Sequence, residues 1–420
     1  MSVSVDQLAI AGGTPVRKTK ERPWPSWPLA TEDDIAAVAA VLRSGKWNRW
    51  RSDRVEALEE ALKEFTGADH VVALASGTAG LEVALKAAGV RPGDEVILPA
   101  YTYIATATAV LQVGGVPVFA DIIPETENVD PASMESLITD RTRALLPVHV
   151  SGLPCDMAAI TALAARHGLR VIEDTAQGIG GTWNGRRLGT IGDAGAYSFQ
   201  ASKNLPGGEG GAVVTNDPEL AERAFKLMHI NYEVLGWNYR LTAMTAALIL
   251  SQLERFPDLQ ARRQANADFL REELSAFPGI EPTRVDPFVT ADGLHGLGVR
   301  FIGAEFSTGS PVSRNAFVKA LHAEGIPCSL GYGDPVHKLP LFQEAATRMR
   351  DHCPVACNHP AMVNMDYTKL HLPNVERLCA EEALRFNQPL LLGTRADMQD
   401  IVDAVGKIHA NQENLATIAN

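Results

Sequence analysis

The sequence has no long apolar run and no N-terminus of the secretory type. No stretch of about eighteen consecutive apolar residues occurs in the 420 residues, so we expect neither a membrane-spanning helix nor a membrane partner. The N-terminal MSVSVDQLAIAGG has no basic region followed by an apolar core, and it does not match a secretory signal. We therefore expect a cytoplasmic protein.

Cysteine is scarce, and basic residues are outnumbered by acidic ones. The five cysteines are odd in number and mostly dispersed, which is typical of a reducing compartment rather than of a disulfide framework. The segment HCPVACNH contains His352, Cys353, Cys357 and His359, but this spacing lacks the paired ligands of structural zinc sites, and we expect no metal. The net charge of −12 is spread without long acidic runs, which argues against binding of nucleic acid.

Two common nucleotide-binding motifs are also missing. No GxGxxG follows the first strand-like segment and no GxxxxGK[ST] occurs, which disfavours a dinucleotide fold and a nucleotide-hydrolase loop. From His70 onward, short apolar segments alternate with helical patterns, as in a mainly parallel sheet covered on both faces. The seven candidate strands are VVAL, EVILP, VPVFAD, RALLPV, RVIED, AYSF and AVVT.

Breaks in the periodicity predict three parts of the chain. Residues 1–30 are predicted to form an irregular arm, because the prolines of ERPWPSWP are incompatible with a helix. Residues 31–275 are predicted to form a large α/β domain that ends in a long helical stretch. The proline- and glycine-containing FPGIEPTRVDPFVTADG follows, and residues 276–420 are predicted to form a smaller α+β domain. The predicted strands of the smaller domain are Leu297 to Ile302 and Ile326 to Leu330.

One lysine lies between two strands that both read as buried. In AYSFQASKNLPGGEGGAVVT this lysine is Lys203, and a buried amine that loses its charge is a nucleophile able to form a Schiff base with a carbonyl. In LRVIEDTAQ, Glu173 and Asp174 end an apolar strand at the sheet edge where α/β proteins bind ligands. A Schiff-base lysine and a carboxylate for a pyridinium nitrogen are what pyridoxal phosphate requires. Taken alone, Lys203 also fits an ordinary surface loop.

The first strand runs into SGTAG and then into a helix. Free amides at a helix N-terminus form an anion site, so Gly77, Thr78 and Ala79 are candidates to hold a phosphate. The alternative is ordinary capping, because strand-to-helix turns commonly use Gly and Thr.

Taken in order, SGTAG, LPAYTYIAT, VIEDTAQ, SFQASKN, GEGG and NYR resemble the DegT/DnrJ/EryC1/StrS aminotransferase family. The resemblance spans roughly residues 8 to 410. It implies a pyridoxal-phosphate enzyme of fold type I, with a large, mainly parallel seven-stranded sheet and a small C-terminal α+β domain. It also implies amination of a keto-sugar or keto-cyclitol with glutamine or glutamate as donor, in an obligate homodimer with shared active sites.

The resemblance also implies roles for individual residues. Lys203 would carry the Schiff base and then move a proton between substrate carbon and cofactor, while Asp174 would pair with the pyridine nitrogen. The other implied cofactor contacts are Tyr103 and Ala176 on the two ring faces, Gln177 near the phenolic oxygen, Gly77, Thr78 and Ser198 on the phosphate, and Asn238 on the phosphate from the second subunit. Tyr103 and Ala176 also fit ordinary core positions.

The substrate side departs from the common members of the family. The segment GKWNRW is similar to the branch that acts on cyclitols and related six-membered rings, and Trp47 and Arg49 are predicted at the mouth of a site between subunits. Arg49 or Arg51 is predicted to bind the carboxylate of the amino donor by charge-assisted hydrogen bonds. As an alternative, GKWNRW is only a connection between helices. Gln200 and Glu209 are predicted to border the substrate.

Three other functions are compared with this one. A nucleotide-sugar aminotransferase is the alternative within the family, and a catalytically silent binding or regulatory protein is the alternative from another class. A sugar dehydratase of similar fold carries a histidine in place of the lysine, so Lys203 argues against it.

Overall fold

The computed structural model describes residues 7–343, 366–413 and 415. The segment that contains His352, Cys353, Cys357 and His359 lies outside the described residues. In the part that is described, no group of three or more His, Cys, Asp or Glu side chains is placed to hold a metal ion. None of the described helices is long and apolar enough to cross a membrane.

A seven-stranded sheet forms the centre of the large domain. In spatial order its strands are β1, β9, β8, β5, β4, β2 and β3, and only β9 runs antiparallel to its neighbours. Their bounds are β1 His70–Leu74, β2 Glu95–Pro99, β3 Val116–Ala120, β4 Thr142–Leu145, β5 Arg170–Asp174, β8 Ala194–Ser198 and β9 Gly211–Thr215. The mainly parallel seven-stranded sheet expected from the sequence is thus confirmed.

Helices cover the sheet, and most of its strands are therefore buried on both faces. Every residue of β2, β3, β8 and β9 is buried, as a parallel sheet between two helix layers requires. The helices of this region are α1 Glu32–Ser44, α2 Arg54–Thr66, α3 Gly77–Ala87, α4 Ile104–Gln112, α5 Pro131–Ser136, α6 Met157–His167, α7 Pro218–Leu227 and α8 Ala243–Leu274. Thr31 caps α1 in a capping box with Asp34, and Gly67 ends α2 in a left-handed conformation.

The C-terminal part is built on a three-stranded antiparallel sheet. Its order is β10, β12, β13, and a second small sheet of β11, β6 and β7 joins it to the large domain. The strands are β6 Thr182–Trp183, β7 Arg186–Arg187, β10 Ile280–Pro282, β11 Val289–Ala291, β12 Gly296–Phe301 and β13 Ala383–Asn387. The helices are α9 Gly303–Phe306, α10 Arg314–Ala323, α11 Pro340–Gln343, α12 Pro373–Arg377 and α13 Arg395–Ala410.

Two details of the C-terminal part differ from the expectation. The segment Ile326 to Leu330, predicted as a strand, contains only an isolated bridge between Ser329 and Arg385. The strand that completes the small sheet is β13, which the sequence did not reveal because its pairing with β12 joins residues far apart in the chain. The boundaries 1–30, 31–275 and 276–420 remain predictions.

The N-terminal arm packs against the C-terminal part. Leu8 is buried in the same apolar cluster as Phe301 and Ile401, and the buried guanidinium of Arg17 pairs with Asp397 and Asp400 at 2.6 and 2.7 Å. The start of the chain therefore contributes to the small domain's core.

Candidate active site

A cavity of about 570 Å³ opens at the carboxyl ends of the parallel strands, beside the turn that follows β8. Part of its lining comes from the large domain and part from the segments around β12 and β13. Ten of the residues predicted from the sequence line this one cavity: Gly77, Thr78, Tyr103, Asp174, Ala176, Gln177, Ser198, Gln200, Lys203 and Glu209. The structure thus brings together side chains that are spread over more than a hundred positions in the sequence.

The two acids at the end of β5 have different surroundings. Glu173 is fully buried and accepts hydrogen bonds from the amides of Gly189, Ile191 and Gly192 and from His149 Nε2. Successive strand residues point to opposite faces, so Asp174 faces the cavity instead. We infer that Glu173 is structural and that Asp174 is the acid available to a ligand.

Asp174 is a buried carboxylate, and no cation of the described residues lies at hydrogen-bond distance from it. Its Oδ2 accepts from the Thr106 hydroxyl at 2.8 Å and its Oδ1 from the Ala176 amide at 3.1 Å. Burial raises the pKa of Asp174, against the opposing effect of these hydrogen bonds and of Lys203. A positively charged ligand atom at this position would lower the cost of the buried charge.

Lys203 lies in the turn between β8 and β9 and is half-buried. Burial lowers the pKa of its amine and nearby Arg385 lowers it further, while the negative charge of Asp174 opposes both. No described side chain forms an ion pair or hydrogen bond with Lys203 Nζ. An amine with a lowered pKa and no fixed partner is suited to nucleophilic attack on a carbonyl.

The N-terminus of α3 forms the other end of the cavity. The Ser76 hydroxyl accepts from the Ala79 amide at 3.1 Å, whereas the amides of Gly77 and Thr78 have no partner in the described chain. A side chain at Gly77 would bring its Cβ to 2.7 Å from Ser198 Cβ, so glycine allows the free amides and the Ser198 hydroxyl to converge. This is the arrangement of a phosphate site at a helix N-terminus.

The small domain contributes a basic and aromatic wall that the sequence analysis missed. Arg385 of β13 lines the cavity, donates to the buried Glu127 at 3.1 Å and lies over the Tyr332 ring at 5.4 Å. Tyr332 in turn accepts from Gln177 Nε2 at 2.5 Å. His295, which precedes β12, completes this wall.

No local motif marks these residues in the sequence. Arg385 lies within a strand, and His295 follows a loop, so only the folded chain places them near Lys203. Thr106, which holds Asp174, lies in PAYTYIAT, the motif that also contains Tyr103. Its place in this motif is the sequence feature that could have identified Thr106 as a site residue.

Five predicted residues do not line the cavity: Trp47, Arg49, Arg51, Ala79 and Asn238. Both terminal nitrogens of Arg49 donate to Glu59, each at 2.9 Å, and the pair is buried, which corrects the expectation that this guanidinium is free for a substrate. Trp47 is exposed and donates to the Leu42 carbonyl. Asn238 is exposed on the protomer, and its predicted contact belongs to a second subunit.

The site fits pyridoxal phosphate on its own chemistry. A buried carboxylate without a cation suits a protonated pyridine nitrogen, the unpartnered amides of α3 suit a phosphate, and the amine of Lys203 suits an aldehyde carbon. That Tyr103, Ala176 and Gln177 contact the cofactor ring between these groups remains a prediction.

Comparison with known proteins agrees with a pyridoxal-phosphate site. The model of the DegT/DnrJ/EryC1/StrS aminotransferase family matches residues 28–386. An L-glutamine:2-deoxy-scyllo-inosose aminotransferase of Streptoalloteichus tenebrarius is 36% identical over 96% of this chain and 97% of its own length.

Two solved structures are similar over nearly all of the chain. 3-Amino-5-hydroxybenzoic acid synthase has a TM-score of 0.81 at 27% identity and covers 95% of this chain and 100% of its own. DesI, solved in the presence of its TDP-sugar product, has a TM-score of 0.80 at 28% identity and covers 98% of both chains.

Proposed function

Because the chain belongs to the DegT/DnrJ/EryC1/StrS aminotransferase family, we propose that it moves an amino group from L-glutamine or L-glutamate to a small keto-cyclitol. It is a pyridoxal-phosphate-dependent aminotransferase. The observation that carries the proposal is the single cavity into which Lys203, Asp174 and the free amides of α3 all face.

The residues of the cavity have separate tasks in such a transfer. When bound, pyridoxal phosphate supplies an electron-withdrawing ring that stabilises negative charge on the substrate carbon. Asp174 would keep a proton on the ring nitrogen, and the amides of Gly77 and Thr78 would hold the phosphate. The Nζ of Lys203 would move a proton between the substrate carbon and the cofactor.

We assign the carboxylate of the amino donor to Arg385. Neither Arg49 nor Arg51, the arginines predicted for this task, lines the cavity, and Arg49 is held by Glu59. The guanidinium of Arg385 lines the same cavity as Lys203, and the ion pair with Glu127 uses only one of its nitrogens. A guanidinium and a carboxylate form strong charge-assisted hydrogen bonds.

A homodimer with shared sites is part of the proposal. The exposed segment before α8 carries Asn238 and presents large apolar side chains to solvent on the isolated protomer, among them Tyr232 and Leu235. Such a patch is typical of a surface that another chain covers.

We place the enzyme in the cytoplasm, because the described cysteines Cys155, Cys328 and Cys379 are free.

The acceptor is tested by comparing two ketones. The relative from Streptoalloteichus tenebrarius is named for 2-deoxy-scyllo-inosose, while the TDP-sugar product named for DesI makes a nucleotide-linked keto-sugar the second candidate. With L-glutamine as donor, we expect a higher kcat/KM for 2-deoxy-scyllo-inosose. A preference for the nucleotide-linked sugar would contradict the cyclitol assignment, and no turnover with either ketone, despite bound cofactor, would favour a silent binding protein.

A further inference from the structure

His295 is held by main-chain hydrogen bonds at the edge of the cavity. Its amide donates to the Ser151 carbonyl at 2.7 Å, and its carbonyl accepts from the Gln388 amide at 3.3 Å. The imidazole lines the same cavity as Lys203 and Asp174. These bonds fix the main chain of His295, and contacts of its side chain determine which ring nitrogen faces the ligand.

Asn204, the residue after Lys203, sets the tautomer of His295. Asn204 Nδ2 donates to the carbonyls of Gly293 and Leu294 at 2.7 and 3.0 Å, which identifies the other amide atom, Oδ1, as an acceptor. Oδ1 lies 3.3 Å from His295 Nδ1, so Nδ1 must carry the proton. In a neutral imidazole the second nitrogen, Nε2, is then a bare acceptor.

The surroundings keep the imidazole neutral. Burial lowers the pKa of His295 well below its usual range, and the positive charges of Lys203, Arg385 and Arg263 act in the same direction. No residue in the described ranges forms a hydrogen bond with Nε2. The cavity wall thus presents a fixed acceptor that does not become a donor at neutral pH.

Given the proposed transamination, we propose that His295 is a specificity-determining residue whose Nε2 accepts a hydrogen bond from a neutral O–H or N–H group of a substrate. A hydroxyl of a keto-cyclitol and the side-chain amide of L-glutamine both supply such a hydrogen. The carboxylate of L-glutamate and a ring carbon without its hydroxyl do not, and they leave the acceptor unpaired. An unpaired buried acceptor disfavours the poorer substrate by about 10- to 100-fold.

Two substitutions separate this role from a structural one. His295→Asn retains a donor near the position of Nδ1, and with it the contact to Asn204, but removes the acceptor at Nε2. His295→Gln places an amide oxygen near Nε2 and lacks the group that contacts Asn204. The proposal predicts that Gln preserves specificity better than Asn, whereas a purely structural role predicts the reverse.

The experiment follows each half-reaction of the holoenzyme by the absorbance of its cofactor. The amino-donor half is measured with L-glutamine and L-glutamate, and the acceptor half with 2-deoxy-scyllo-inosose and analogues that each lack one hydroxyl. We expect His295→Asn to lower kcat/KM by about 10- to 100-fold for the hydrogen-bearing member of a pair in one half-reaction. The matched substrate without that hydrogen should change little, and His295→Gln should restore part of the loss.

The half-reaction that changes identifies the source of the hydrogen, the donor amide or a ring hydroxyl. Equal losses for both members of every pair, or no loss, would overturn the inference. Failure of the wild-type holoenzyme to react with any amino donor would instead overturn the proposed function. Imidazole ¹⁵N spectra, assigned by His295→Asn, give a readout independent of activity: the inference requires a proton on Nδ1 between pH 6 and 9, and a protonated Nε2 would refute it.

Discussion

Arg385 Nη2 donates a hydrogen bond to Glu127 Oε2 at 3.1 Å, and both side chains are buried. Glu127 lies in the connection between β3 and α5, so the pair joins the large domain to strand β13. Gly296 and Gly298 leave the necessary room, since a Cβ at these positions would lie 2.8 Å from Arg385 Cδ and 2.7 Å from Glu127 Oε1. The ion pair therefore fixes the guanidinium at the wall of the cavity.

Replacement of Arg385 by Gln should weaken both donor binding and stability. We expect kcat/KM for the amino donor to fall by about 10- to 100-fold, as for loss of a hydrogen bond to a charged group. The free energy of unfolding should fall by about 3–5 kcal/mol, because Glu127 is left buried without its partner. Half-reaction kinetics and denaturant unfolding measure the two effects separately.

The double variant Arg385→Gln/Glu127→Gln is the matched control. It removes the unpaired carboxylate and should regain most of the stability while the donor half-reaction stays slow. Recovery of the donor rate together with stability would show that Arg385 acts only through the fold.

The sequence predicted the sheet well because each of its strands is a short apolar segment with a turn at its end. It also located the two acids at the end of β5, but it did not distinguish their roles. That distinction depends on which face of the strand each side chain occupies and on the amides of Gly189, Ile191 and Gly192 that hold Glu173. These contacts arise only after the chain has folded.

The small-domain wall was not predictable for a related reason. Arg385 and His295 are polar residues in segments without a local motif, and their function depends on the pairing of β12 with β13. Arg49 shows the converse error. Its basic and aromatic neighbours favour a ligand contact, but the guanidinium pairs with Glu59 on α2 instead.

Lys203→Ala should abolish transamination and leave the fold intact. The loss of an essential nucleophile and base is expected to reduce the rate by about 10⁴-fold or more. The protein should also lose the visible absorbance of bound cofactor that borohydride removes from the wild type. Lys369→Ala is the control, since Lys369 is exposed, pairs with the nearby Asp366 and lies outside the cavity. Turnover by Lys203→Ala without an added amine would refute the assignment.

Asp174→Asn should raise the melting temperature of the cofactor-free protein and lower the reaction rate of the enzyme with its cofactor. Because burial raises the pKa of Asp174 above 3.8, the folded state binds this proton more tightly than the unfolded chain. Stability is therefore lost as the pH rises from the unfolded pKa through the folded pKa. Without cofactor, the variant should melt a few degrees higher than the wild type at pH 7.5, with a difference that shrinks toward pH 4.

With cofactor bound, the same variant should react slowly, because an amide does not hold a proton on the pyridine nitrogen as a carboxylate does. Thr108→Val is a control on the same helix as Thr106, since the Thr108 hydroxyl donates to the Ala105 carbonyl and lies outside the cavity. A wild-type rate for Asp174→Asn, or a lower melting temperature without cofactor, would make Asp174 a structural residue.

Two inactive chains should restore activity when they form a mixed dimer. If Asn238 holds the phosphate in the partner's site, a Lys203→Ala chain supplies an intact Asn238 and an Asn238→Asp chain supplies an intact Lys203. One site of each mixed dimer then has both residues, so random pairing should recover about a quarter of the wild-type activity. Co-expression with two affinity tags isolates the mixed dimer, in which half of the wild-type activity is expected. Asp at position 238 is chosen because its charge repels a phosphate, and two differently tagged Lys203→Ala chains serve as the negative control. A tagged mixed dimer that forms but stays inactive would place Asn238 outside the partner's site.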